Sequence, residues 1–206
     1  MKRVLWMVLL TLALPVAAFA GDVDFQSQNG TLTGNSTLMT LSGSETINSI
    51  TGLGAPLGGP TTDLATISFT TGALTSTGAN TWSFASGGSF TITADTNLPG
   101  IASGTTIFSG QFSCGSCTWT LALQANGTNV YVLSGVISGT WYNGTTVSGV
   151  TINTVLNSGL GLFDGGSGTI TSGDTTIVTT PEPASLMLMG TGLVGLGGVL
   201  RRKLKV

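Results

Sequence analysis

A missing charge is the most informative feature of this 206-residue sequence: residues 21–179, the body of the chain, contain no lysine, arginine or histidine. Without basic side chains the body cannot replace the counterions on phosphates, which excludes nucleic-acid binding. Without histidine it cannot build a Ser-His-Asp or Cys-His catalytic system, and without lysine it cannot form a Schiff base. We therefore expect neither an enzyme nor a cofactor. Neutral glycans, cations and apolar surfaces remain as partners.

The charges that the body does carry are all negative. Its seven carboxylates give it a formal charge of about −7, whereas the whole chain has −2 because both ends are basic. Two carboxylates can in principle hydrolyse a glycoside, so a secreted hydrolase stays as a less favoured alternative. Calcium binding also stays open, but no EF-hand spacing supports it and we predict no metal site. The seven are Asp22, Asp24, Glu45, Asp63, Asp95, Asp164 and Asp174.

The N-terminal segment has the three parts of a secretory signal. Lys2 and Arg3 precede an apolar run over residues 4–14, which is too short to span a bilayer comfortably. Ala18 and Ala20 then supply the small-x-small pattern that signal peptidase reads. We predict a signal peptide over residues 1–20, cut after Ala20.

The C-terminal segment predicts a membrane anchor. Residues 184–200 carry no charge and, as a helix, would span about 25 Å. A basic cluster follows, which the positive-inside rule would keep in the cytoplasm. A proline-flanked glutamate stands just before the apolar run. These residues are Pro181, Glu182 and Pro183 for the motif, and Arg201, Arg202, Lys203 and Lys205 for the cluster.

The chain thus has a Pro-Glu-Pro motif, then an apolar helix, then a basic cluster. This order resembles the PEP-CTERM sorting signal of Gram-negative bacteria, although Thr180 stands where that family commonly has valine. The resemblance covers residues 180–206 and the signal peptide. It implies export, anchoring in the inner membrane, and processing by exosortase, a membrane-embedded enzyme. It further implies display at the cell surface or in an exopolysaccharide or biofilm matrix. An ordinary tail anchor that is never processed is the alternative.

Alternating apolar and polar residues predict an all-β body of antiparallel strands. Phe90, Ile92 and Ala94 alternate with threonines, and Ile67 and Phe69 follow the same pattern. The pattern also predicts that Val150 and Ile152 face the core while Thr151 and Asn153 face outward. Many short strands with regular turns favour a β-sandwich over a β-solenoid. We expect this sandwich to be flanked by an N-terminal signal helix and a C-terminal transmembrane helix.

Three Asn-Gly dipeptides mark expected hairpin turns, because both residues tolerate the backbone of a tight turn. They begin at Asn29, Asn126 and Asn143. Cys114 and Cys117 form the only cysteine pair. In an exported protein we expect a small disulfide there rather than a redox or zinc site.

Trp141 and Tyr142 are consecutive and therefore point to opposite faces of a strand. One of them is expected to face outward, where it would contact a sugar ring. The sequence thus predicts an exported structural or interaction protein of the cell surface or exopolysaccharide matrix. A module that binds neutral polysaccharide is the alternative.

Overall fold

The computed structural model describes residues 21–35, 40–53, 56–59, 62–77, 81–113, 119–123, 130–157 and 167–179. Residues Asp22–Val178 form one compact unit. The described residues contain twelve strands and, among them, no helix long and apolar enough to cross a membrane. The strands are β1 (Gly21–Asn35), β2 (Thr40–Thr51), β3 (Leu57–Gly58), β4 (Ala65–Thr70), β5 (Leu74–Thr77), β6 (Thr81–Phe84), β7 (Gly87–Ala94), β8 (Thr106–Phe112), β9 (Trp119–Leu123), β10 (Val130–Trp141), β11 (Thr146–Asn157) and β12 (Ser167–Thr179).

Eight of the strands close into a barrel in the order β11-β12-β1-β2-β4-β7-β8-β10, with β10 returning to β11. The prediction of an all-β body is confirmed, but the prediction of a β-sandwich is wrong. The predicted signal helix and transmembrane helix lie outside the described residues. Every strand pair whose register is described is antiparallel.

Strand β10 closes the barrel because it pairs on one edge with β8 and on the other with β11, the first strand of the order. One edge pairs with β11 along residues 130–140, and the other pairs with β8 over residues 137–141. In a sandwich the two ends of this strand order would remain unpaired edges, whereas a closed sheet has no edge. The part of β10 that β8 does not cover pairs with β9, from which β6 and β5 continue.

The barrel interior is mostly apolar, as the alternation predicts. Phe90 and Ile92 are fully buried, and Ile67 and Phe69 lie beside them in register on β4. The rings of Phe90 and Phe112 meet edge to face at 5.7 Å between centroids, a favoured aromatic geometry. This part of the core was correctly predicted from period two.

The inward and outward faces of β11 are the opposite of those predicted from the sequence. Val150 and Ile152 are 49% and 52% exposed, while Thr151 and Asn153 are fully buried. Thr151 and Asn153 face inward because they find hydrogen-bond partners there. The Thr175 hydroxyl donates to the Thr151 hydroxyl at 2.8 Å, and the Asn153 amide contacts Glu45. Satisfied hydrogen bonds make the burial of these polar groups tolerable.

Two of the Asn-Gly predictions can be compared with described residues, and they differ in outcome. Asn143-Gly144 forms the expected turn between β10 and β11, with the Gly144 N–H donating to the Trp141 carbonyl at 2.8 Å. Asn29-Gly30 does not turn the chain. It forms a bulge inside β1, where the register shifts between Gln28 and Thr31 and Asn29 has a φ of 56°. Asn126-Gly127 lies outside the described residues.

Candidate functional site

A buried carboxyl group marks the centre of the candidate site. Glu45 lies on β2 and is only 2% exposed. The Ser27 hydroxyl donates to Glu45 Oε2 at 2.6 Å. The orientation of the Asn153 amide that satisfies its neighbours places its nitrogen 3.2 Å from Glu45 Oε2 and 3.1 Å from the Ile152 carbonyl oxygen. We call Ser27, Glu45 and Asn153 the buried polar triad.

Four neighbouring strands bring the triad together. Asn153 on β11 pairs in register with Gly173 on β12, which lies next to β1 and Ser27. A Cβ at Gly173 would come within 3 Å of the Asn153 side-chain amide and of the Ser27 Oγ and Glu45 Oε2 atoms. Only glycine therefore leaves room for the side chains of Ser27 and Asn153 to approach each other across β12.

The bulge in β1 completes this arrangement. The register of β1 shifts between Gln26 and Ser27 and again between Gln28 and Thr31. The set of side chains that faces inward therefore changes opposite Glu45. A Cβ at Gly30 would clash with the Glu45 Cβ and the Ser44 carbonyl oxygen. The Asn29-Gly30 dipeptide thus makes space for the glutamate instead of turning the chain.

Burial dominates the acidity of Glu45. It raises the pKa of this carboxyl from 4.5 to about 7, although the hydrogen bonds from Ser27 and Asn153 hold the pKa lower than burial alone would. No cation pairs with the group, because the body contains none. Near neutral pH the carboxyl therefore exists in both its protonated and its ionised form.

An open groove lies on the outer surface near the triad. It has a volume of about 350 Å³ and lies where β1, β11 and β12 meet. Oxygen-bearing side chains dominate its lining, and Ser27 and Gly173 of the triad region also contribute to it. The main polar side chains of the groove are Gln26, Gln28, Asn48, Thr154, Thr171 and Asp174.

A pair of carboxyl groups stands at this groove. Asp174 hydrogen-bonds Asp24, and this bond is the main reason that the pKa of Asp174 is raised to about 6; burial and the Asp24 charge raise it further. The Thr176 hydroxyl donates to Asp24 Oδ1 at 3.4 Å. Within the described residues, no three carboxylate, histidine or cysteine side chains are grouped to hold a metal ion.

Trp141 and Tyr142 differ in exposure although their rings pack together, because Tyr142 lies in the turn after β10. Trp141 is 5% exposed and packs against Phe25, with ring centroids 6.2 Å apart, whereas Tyr142 is 44% exposed. The turn that carries Tyr142 joins Thr140 and Thr146, which line a second depression of about 470 Å³. The predicted sugar contact therefore rests with Tyr142, and Trp141 belongs to the core.

The other predicted site residues lie outside the described residues. They are Ala18, Ala20, Cys114, Cys117, Pro181, Glu182, Pro183, Arg201, Arg202, Lys203 and Lys205.

Sequence reasoning missed the buried polar triad, although one signal for it was present. Glu45 stands in phase with Leu41 and Ile47, and Ser27 stands in phase with Val23 and Phe25. Polar residues at inward positions of alternating strands indicate partners inside the fold.

Comparison with known proteins identifies the C-terminal segment. Residues 179–203 match the PEP-CTERM protein-sorting motif. No curated protein and no solved structure matches the chain. The chain therefore carries the PEP-CTERM sorting motif predicted from its Pro-Glu-Pro, apolar and basic segments, and it is a protein that exosortase sorts to the cell surface.

Proposed function

We propose that the barrel is a non-enzymatic structural or interaction module, displayed on the surface or in the exopolysaccharide matrix of a Gram-negative cell. The sorting motif at residues 179–203 carries this proposal, because it directs whatever precedes it to the cell exterior. In this account, signal peptidase first removes residues 1–20. Exosortase then acts at the tail.

The arrangement of the carboxyl groups supports a module without hydrolytic activity. Glycosidases hold their two carboxyl groups about 5–9.5 Å apart, on either side of the scissile bond. Asp24 and Asp174 instead hydrogen-bond each other, which is closer than that spacing. Glu45 is buried in the barrel interior, where its contacts are Ser27 and Asn153.

Binding of a neutral polysaccharide is the second candidate, and Tyr142 favours it. This aromatic ring is exposed at the end of a rigid hairpin, and it packs against the buried Trp141 ring at 5.6 Å. Hydroxyl and amide groups line the neighbouring depression, among them Ser109, Gln111 and Thr140. An apolar face beside such groups suits an uncharged sugar, and the acidic body would repel anionic polymers.

Native electrophoresis through gels that contain the host's exopolysaccharide tests both candidates. If the module binds, the wild-type protein migrates more slowly, and the polymer recovered from the gel keeps its size. The Tyr142→Ala variant should bind at least about fivefold more weakly, which corresponds to about 1 kcal/mol. Leu156→Ala is the matched control, because Leu156 is 46% exposed but lies at the other end of β11.

Each other outcome removes one candidate. A wild-type protein that migrates normally eliminates polysaccharide binding and leaves the structural role. Polymer shortened by the wild-type protein would contradict the non-enzymatic proposal.

A further inference from the structure

The buried polar triad places a nucleophile, a base and an acyl group together. Ser27 supplies a hydroxyl, Glu45 a carboxyl, and Asn153 a side-chain amide whose carbon can be attacked. All three converge over Gly173, where a side chain would prevent their approach. The role of the barrel as a surface module uses none of these groups.

The carboxyl group of Glu45 bridges the two reacting groups. Its Oε2 atom lies 2.6 Å from the Ser27 hydroxyl oxygen and 3.2 Å from the Asn153 amide nitrogen. Both distances are within or at the limit of the range over which a general base and acid exchange protons. One carboxyl group can therefore take a proton from the hydroxyl and return it to the amide nitrogen.

We propose that Ser27 and Asn153 form an intramolecular ester, with Glu45 as the proton shuttle. Ser27 Oγ attacks Asn153 Cγ while Glu45 accepts the hydroxyl proton. The shuttle then delivers this proton to Nδ2, the Cγ–Nδ2 bond breaks, and ammonia leaves. The products are an Oγ–Cγ ester bond and a carboxylate at Glu45, so atoms and charges balance without any further reactant. Escape of ammonia from the chain makes the step irreversible.

The fixed geometry favours this reaction. Ser27 and Asn153 are both held against the same oxygen of Glu45, and groups positioned by a folded chain react far faster than the same groups in solution. Burial also raises the pKa of Glu45 to about 7, so near neutral pH the carboxyl is present in both the form that accepts a proton and the form that donates one. Ser27, Glu45 and Asn153 are each less than 5% exposed, which limits hydrolysis of the ester even though the groove reaches Ser27.

The link would join β1 to β11 across β12. It would close a long loop, from residue 27 to residue 153, and so fasten three neighbouring strands of the barrel. An amide link through lysine is not open to this body, because it has no lysine. An ester through serine is the corresponding chemistry that these residues permit.

Peptide mapping of the full chain, purified in folded form and incubated at about pH 7–8, tests the proposal. Cleavage before aspartate releases residues 24–62, with Ser27, and residues 95–163, with Asn153. We expect these two peptides to be joined, with a combined mass lower by one ammonia. Mild alkali should separate them, because esters hydrolyse more readily than amides.

Two variants serve as controls. Ser27→Ala removes the nucleophile, and Glu45→Gln keeps the shape of the shuttle but removes its base. Both should yield separate peptides, and circular dichroism verifies that each variant is folded. Asn-Gly sites can also lose ammonia by forming succinimides, but that reaction does not join peptides.

Separate wild-type peptides of full mass, from protein shown to be folded, would overturn the proposal. Joined peptides in Ser27→Ala would overturn it as well. Joining at an unchanged rate in Glu45→Gln would contradict the role of the shuttle.

Discussion

Replacement of Gly173 by alanine should destabilise the barrel by about 2–6 kcal/mol. The added methyl group would lie within 3 Å of Ser27 Oγ, the Asn153 side-chain amide and Glu45 Oε2. Overpacking of a well-filled interior typically reduces stability by about 1–3 kcal/mol, and displaced buried polar groups that lose their partners add about 1–3 kcal/mol more. Denaturant unfolding, followed by tryptophan fluorescence, measures the change.

Gly59→Ala is the matched control for this substitution. No atom lies within 4 Å of a Cβ built at Gly59, and its backbone is outside the left-handed region. Its free energy of unfolding should change by no more than about 0.5 kcal/mol. If Gly173→Ala unfolds at the wild-type denaturant concentration, the triad does not meet at Gly173 as described.

The second large effect is on pH dependence: the barrel should lose stability as the pH rises from about 4.5 to 7. In this range the unfolded state releases the Glu45 proton, whose pKa there is 4.5, while the folded state retains it up to about pH 7. Stabilisation by the bound proton is therefore complete below pH 4.5 and is lost on passing the folded pKa. Linkage gives an effect of about 3 kcal/mol for this difference in pKa.

Glu45→Gln tests this assignment. It cannot ionise, yet its side chain can still accept from Ser27, so it should be more stable than the wild type at about pH 8. Below pH 6, Asp174 contributes in the same direction, because its pKa is also raised, from 3.8 to about 6. The variant should therefore keep a slope below about pH 6 and lose the slope between 6 and 7.

The opposite behaviour would contradict the buried state of Glu45. A wild-type barrel whose stability stays constant from pH 4.5 to 7 would indicate a solvated carboxylate, and one whose stability rises would indicate a paired carboxylate. Ester formation would not reverse the expected slope, since it removes both hydrogen bonds that lower the pKa of Glu45.

Much of the fold could be predicted from the alternation of apolar and polar side chains along each strand. The alternation at Phe90 and Ile92 places apolar residues inside because one face of each strand meets the core. The closure of the sheet could not be predicted, since it depends on both edges of β10 pairing with distant strands. Strand order is a long-range property that alternation within single strands does not contain.

The reversed strand β11 shows where local patterns fail. Hydrophobicity alone predicts that Val150 and Ile152 are buried. The interior at this point contains Glu45, however, so the polar side chains of Thr151 and Asn153 face inward instead. A one-residue change of phase moves every side chain to the other face, so a polar interior reverses the whole strand. Glu45 itself could have revealed this, because it occupies an inward position of β2.

The C-terminal end of the chain was the part best predicted from sequence. The PEP-CTERM motif at residues 179–203 depends on local order and charge rather than on tertiary contacts. The exposure of Tyr142 was foreseen only as one of two alternatives. Tyr142 lies in the turn after β10, and the packing of Trp141 against Phe25 decides which of the two rings is buried.

Intact-mass measurement of the protein from its own host, separated into membrane-bound and released pools, tests the central claim most directly. Sorting by exosortase predicts a released form that begins at Gly21 and ends near Pro183. The membrane pool should then contain the precursor that retains residues 184–206. If the protein occurs only as a membrane form with residues 184–206 intact, the tail is a plain anchor and the account of a sorted surface module is contradicted.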